Sequence, residues 1–181
     1  MNVIKSLVAS LALFALPAQA SVVISTAEIG GNVVFDYSGS LNTNSLTFSA
    51  TDTNPRTLLG PGYGAILAFN NTVNVFLGGT LPSFGSTSIA SGVSTGDALA
   101  IFSNNVLGVS NTYVSGSAFG GTATFLGSYA SLGLVKGTYV STLSNSETIT
   151  LNIQAIPVPA AAGLLATALA GLGLLRRRKK S

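Results

Sequence analysis

The hexapeptide Thr148-Ile149-Thr150-Leu151-Asn152-Ile153 alternates throughout, with Ile149, Leu151 and Ile153 on one face and Thr148, Thr150 and Asn152 on the other. A period of two in β-branched and apolar residues marks a half-buried strand. Upstream, Val33-Val34-Phe35-Asp36-Tyr37, Leu46-Thr47-Phe48, Thr72-Val73-Asn74-Val75-Phe76, Thr122-Ala123-Thr124-Phe125 and Thr138-Tyr139-Val140 are short runs of the same character. Gly30-Gly31, Asn54-Pro55, Gly60-Pro61-Gly62, Gly78-Gly79, Asn104-Asn105, Gly120-Gly121 and Gly137 punctuate them as turns. No window between residues 21 and 156 carries a 3.6-residue apolar period with helix caps. Residues 21–153 therefore read as one all-β domain, an antiparallel β-sandwich.

Both flanks of this domain are addressed to membranes. Lys5, the apolar stretch Leu7 to Leu16, and Pro17-Ala18-Gln19-Ala20 form the charged start, short apolar middle and small-residue ending of a secretory signal peptide, residues 1–20. Cleavage is expected between Ala20 and Ser21, so the secretion translocon and signal peptidase are expected partners and 21–153 is an exported domain. At the other end, Ala160 to Leu175 holds a single polar side chain, Thr167, and is followed by Arg176, Arg177, Arg178, Lys179 and Lys180. As a helix over 159–175 this run is roughly 24 Å long. That nearly spans a hydrocarbon core of about 30 Å, and snorkelling cations make up the difference. Pro157 and Pro159 give it a sharp start. Clustered cations stay on the cytoplasmic side, which puts residues 176–181 inside and the domain outside the inner membrane.

Ile156-Pro157-Val158-Pro159-Ala160, a short apolar helix and a terminal Arg/Lys cluster together resemble the PEP-CTERM sorting signal in its Val-Pro-Leu-Pro-Ala variant. Ile156 stands for the usual Val and Val158 for the usual Leu, and the Glu of the commonest form is absent. The resemblance covers the tail, 154–181. It implies that an exosortase, a membrane-embedded cysteine transpeptidase, handles the tail and passes the protein toward the cell surface. Tyr113 to Phe125, with Ala130-Ser-Leu-Gly-Leu134 and Gly137-Thr-Tyr-Val140, is similar to exported domains that precede such tails, although their Trp-rich strand is missing here.

Net charge must be read without the address labels. Lys5 lies in the signal and five cations lie in the tail, which leaves Arg56 and Lys136 against Glu28, Asp36, Asp52, Asp97 and Glu147. A body of net charge −3 carries no basic patch, which excludes nucleic acid as a partner. The chain has no His and no Cys, so the usual proton shuttle, the thiolate nucleophile and the common zinc and copper ligand sets are absent. Asp52-Thr53-Asn54 begins like a calcium loop, but Arg56 stands where the next oxygen ligand belongs. Lys136 before Gly137 reads as a solvated turn residue, the five acids as solvated or turn-forming groups, and Tyr37, Tyr63, Tyr113, Tyr129 and Tyr139 as core. Asn70-Asn71-Thr72 fits a glycosylation sequon, a short and frequent pattern.

The expectation is an exported, exosortase-sorted structural protein of the cell surface or extracellular matrix, with no enzymatic activity and no cofactor, and with an exopolysaccharide as candidate matrix partner. The alternative is a carbohydrate-binding or adhesive module on the same tail, which requires an exposed row of Tyr or Phe.

Overall fold

The computed structural model describes residues 21–102 and 104–154. They form twelve strands: β1 Ser21–Ile29, β2 Asn32–Ser40, β3 Thr47–Asp52, β4 Arg56–Gly60, β5 Ala65–Phe69, β6 Val73–Leu77, β7 Ala90–Gly96, β8 Leu99–Phe102, β9 Val106–Ser110, β10 Ala118–Leu126, β11 Gly137–Thr142 and β12 Thr148–Ile153. Two one-turn 3-10 segments, Thr43–Ser45 and Pro61–Tyr63, are the only helical turns among the described residues. None of the described helices is long and apolar enough to cross a membrane. The proposed helix 159–175 lies outside the described residues, as does the signal peptide.

The all-β reading holds, but the architecture differs from two separate antiparallel sheets. One continuous sheet runs β11-β12-β1-β2-β10-β7-β4-β5-β8-β9-β6-β3 and curls into a half-barrel. Every pairing is antiparallel except that of β1 with β12, which is parallel from Ser21 opposite Thr148 to Ser25 opposite Asn152. The exception sets the first and last strands of the domain side by side.

β7 joins the two leaves of this sheet. Its first residues, Ala90 and Ser91, pair with Leu59 and Leu58 of β4, and Gly92 to Gly96 pair with Phe125 to Gly121 of β10. The handover falls at Gly92, where an added Cβ would lie 2.6 Å from the Phe125 ring and 2.4 Å from the Thr124 carbonyl oxygen. Only a residue without a side chain lets β7 cross there.

Both leaves bury their facing sides in one core. The first leaf contributes Val22, Ile24, Val33, Phe35, Tyr37, Ala123, Phe125, Ile149, Leu151 and Ile153, and the second Leu59, Ile66, Leu99, Ile101, Leu107 and Val109. Ile149, Leu151 and Ile153 are fully buried, as their alternation predicts, each stabilising by roughly 1.5–3 kcal/mol. Phe35 and Phe125 meet edge-on at 5.5 Å between centroids. Leu81 and Phe84 before β7, and Leu132 and Leu134 before β11, plug the core from its loops.

Tyr37 shows how tightly the core is closed. Its hydroxyl donates to the Asp97 carbonyl oxygen at 2.5 Å, and burial, followed by the nearby Asp97 charge, pushes its pKa from 10.0 up to about 12. Because the folded value lies above the unfolded one, the neutral phenol adds stability below pH 10. That contribution is lost as pH rises toward about 12. Tyr37→Phe is expected to cost about 1 kcal/mol at neutral pH and to flatten the alkaline decline, as read by denaturant melts across this window.

Candidate functional site

The second leaf buries apolar residues on both of its faces, and the second face forms the candidate site. Across six strands one row stands in register: Leu58 of β4, Leu67 of β5, Ala100 of β8, Gly108 of β9, Val75 of β6 and Ala50 of β3. In a flat sheet its two ends would lie about 24 Å apart. Here Leu58 and Ala50 line the same hollow, so the leaf is curled around it. The middle of the row holds its smallest residues, Ala100 and Gly108. A Cβ on Gly108 would come within 2.9 Å of the Ala100 Cβ, so these two strands approach closely there, and neither residue lines the hollow.

The neighbouring rows close one end and open the other. Arg56, Phe69, Val73 and Asp52 lie on one side. There the Arg56 guanidinium sits 5.3 Å from the Phe69 ring centroid and its Nη2 donates to Asp52 Oδ2 at 2.5 Å. Phe69, Val73, Ala98 and Ala100 pack beneath as a small second core. On the other side stand Gly60, Ala65, Phe102, Val106 and Leu77. A cavity of about 690 Å³ occupies the trough, and a smaller one of about 160 Å³ adjoins it through Leu58, Leu67 and Phe102 and ends at Tyr63 and Ile89. The larger volume falls within the roughly 300–1,000 Å³ usual for small-molecule sites. Its lining is mixed: Ala50, Leu58, Leu67, Val75, Phe102 and Val106 are apolar, and Thr51, Thr53, Asn104 and the Arg56–Asp52 pair are polar. The apolar part of such a trough is suited to an apolar chain or ring, and among the described residues that line it no nucleophile stands with an activating base.

Four of the five acids perform structural tasks. Glu147 is buried and accepts the Asn42 N–H on both oxygens, at 3.0 and 2.9 Å, tying the β11–β12 turn to the chain after β2. Glu28 accepts the Tyr129 N–H at 3.0 Å, and Asp97 accepts the Gly120 N–H at 3.0 Å. Asp52 accepts the Asn54 N–H at 2.9 Å and pairs with Arg56, the residue that interrupts the calcium-like pattern. Asp36 is exposed in mid-β2, and Lys136 is exposed just before β11. No three metal-ligating side chains cluster among the described residues.

Of the sorting residues, Ser21 is the exposed first residue of β1. Ala20, Ile156, Pro157, Val158, Pro159, Ala160 and Arg176 to Lys180 lie outside the described residues. Tyr37 and Tyr129 are core, as expected, and Tyr113 and Tyr139 pack partly buried against it. Tyr63 is instead exposed at the trough mouth. Sequence reasoning missed the trough itself, although Ala65-Ile-Leu-Ala-Phe69 and Ala98-Leu-Ala-Ile-Phe102 carry its signal: unbroken apolar runs, unlike the alternating Thr148 to Ile153. Searches of family models, of curated proteins and of solved structures found no match to this chain.

If the hollow takes apolar ligands, an uncharged naphthylamine dye should brighten on binding the protein. Val75→Glu, which sets a carboxylate in the lining of the hollow, is expected to weaken that binding about ten-fold or more. Dye titration with a melting curve for each variant checks this. Unchanged binding in a folded variant would remove the hollow as the dye site.

Proposed function

We propose that this chain is an exported structural protein of the cell surface or extracellular matrix, delivered by a PEP-CTERM-like tail that an exosortase handles. Signal peptidase cuts between Ala20 and Ser21, residues 21–153 fold outside the inner membrane, and 159–175 spans it with Arg176 to Lys180 in the cytoplasm. The body performs no catalysis and needs no cofactor, and an exopolysaccharide is its candidate matrix partner. The observation that carries this reading is the order of the tail: Pro157-Val158-Pro159, sixteen residues with one polar side chain, then five cations. The structural work done by Glu28, Asp52, Asp97 and Glu147 supports the non-catalytic body, since it commits groups that acid–base chemistry would need free.

A simple anchor needs only apolar length and flanking charge, whereas a processing enzyme needs an extended peptide at the membrane face. Pro157 and Pro159 enforce extension in the residues before them. Pro157→Ala combined with Pro159→Ala is therefore expected to block loss of the C-terminal segment and hold the full-length protein in the inner membrane. The check is the mass and membrane fraction of the mature protein in its native host. Wild type and variant both found intact, with Arg176 to Ser181 attached, would reduce the chain to a single-span membrane protein.

A carbohydrate-binding or adhesive module on the same tail is the second reading, and one observation favours it: Tyr63 stands exposed at the trough mouth with Phe102 lining the same hollow. Against it, Phe35, Tyr37, Phe69, Phe84, Phe119, Phe125 and Tyr129 are buried, which leaves Phe48 and Tyr63 as the exposed rings among the described residues. Silence of the exported protein on a glycan array would remove it.

A further inference from the structure

Of the eleven large hydrophobic side chains exposed among the described residues, Val23, Phe48, Leu77, Val114 and Val140 are scattered, whereas six gather toward one end of the sheet from β11 to β4. In sheet order they are Val135 at 56% exposure just before β11, Ile29 at 58% ending β1, Leu126 at 82% ending β10, and Val93 at 68% and Ile89 at 66% on and before β7. Tyr63, at 43%, follows β4. Register makes them neighbours: Ile29 and Leu126 flank Asn32 from both sides, and Leu126 and Val93 line one shallow hollow. Ile89 and Tyr63 then line the next. From β11 to β4 this end extends over six strand spacings, about 29 Å. An uncovered apolar surface of that extent on a folded domain marks a contact.

The chain itself indicates which contact. β12 runs parallel to β1, and Ile153 lies opposite Gly137, the first residue of β11. The domain therefore ends, at Gln154, on the same end of the leaf as Ile29 and Val135. From there the sequence continues as Ala155-Ile156-Pro157-Val158-Pro159 into the apolar run. A span beginning about five residues beyond Gln154 holds this end within some 15–20 Å of the bilayer. We propose that this end of the domain is a membrane-resting surface, in which Ile29, Leu126, Val93, Ile89 and Val135 enter the headgroup and upper acyl region of the bilayer that holds the tail. The inference rests on the tail reading above. Lys136 beside the exit and Glu28 beside Ile29 are both exposed, the Glu28 carboxylate accepting the Tyr129 N–H, so the contact is apolar with one cation and one anion at headgroup level. It depends little on anionic lipid or on salt.

The chain has no Cys, so single cysteines report single places. The full chain is reconstituted in phosphatidylethanolamine/phosphatidylglycerol vesicles containing spin-labelled lipid, and bimane is attached at Ile29→Cys, Leu126→Cys, Val114→Cys or Thr167→Cys. Val114 is the control, being apolar and 70% exposed in the loop between β9 and β10, whose neighbouring Tyr113 bonds to Leu41 at the opposite end. Emission from positions 29 and 126 is expected to fall about two-fold or more, as it should for side chains roughly 5–10 Å deep, to remain quenched at high salt, and to fall with the label at 167 while 114 stays bright. Quenching at 167 with 29 and 126 as bright as 114 overturns the surface and spares the tail. Quenching at 29 and 126 without 167 supports the surface and overturns the tail. If no position is quenched, both fall, and if 114 is quenched equally, the surface falls.

Discussion

The hydrogen bonding of β7 is the constraint on which the rest of the molecule depends. A strand that pairs through Ala90 and Ser91 with β4 and through Gly92 to Gly96 with β10 cannot lie flat against both. The sheet must turn at the handover, and the turn brings the inward faces of the two leaves together. Without it, Ile24, Phe35 and Leu151 on one leaf and Leu59, Ile101 and Leu107 on the other would be two uncovered apolar faces; with it, they share one core. Gly92 permits the crossing by leaving room for the Phe125 ring that packs where its side chain would stand. The chain therefore closes a sandwich-like core without breaking the sheet, and leaves only β11 and β3 as edges.

Curling has a second consequence. A leaf bent enough to cover the core presents a concave surface on its other side, and such a surface must be filled, covered or lined by residues that tolerate water. Phe69, Val73, Ala98 and Ala100 fill it at one end beneath the Arg56–Asp52 pair. Beyond them a hollow remains, lined among others by Ala50, Leu58, Leu67, Val75, Phe102 and Val106. The ion pair is partly exposed, so its contribution to stability is small, under about 1 kcal/mol. Its effect is to close that end and to tether the turn after β3.

Alternation in the sequence locates strands only where one face meets water. β2, β6, β10, β11 and β12 alternate enough to be read directly, and β12 fits its pattern residue for residue. β5 and β8 escape such a reading because both of their faces are buried, which erases the period of two. β7, Ala90-Ser-Gly-Val-Ser-Thr-Gly96, escapes it because its Ser and Gly residues carry little strand propensity, and its role is set by partners far away in the chain. The parallel β1–β12 pair is not legible either, since register between strands more than a hundred residues apart is fixed by the closed core and not by any local motif. Tyr63 reads as core for a related reason: composition alone does not distinguish an aromatic inside the sheet from one at the rim of a concavity.

The parallel pairing of the first and last strands constrains any account of how such a chain is exported. If the chain is exported as proposed, β1 cannot complete its pairing until β12 has left the translocon, so the domain closes late and through contacts of the longest sequence separation it contains, a slow class of folding step. Ser21 and Gln154 then lie toward opposite ends of the leaf, because two parallel strands begin at one end and finish at the other. A nine-residue β1 separates those ends by about 30 Å. If the tail spans the membrane as proposed, a signal helix still attached at Ser21 would tether the far end of the leaf to the same bilayer. The domain could not then rest on its apolar end without pulling β1 away from β12. Removal of residues 1–20 relieves that conflict, so on this topology signal cleavage is a geometric requirement for the fold as well as a release from the translocon.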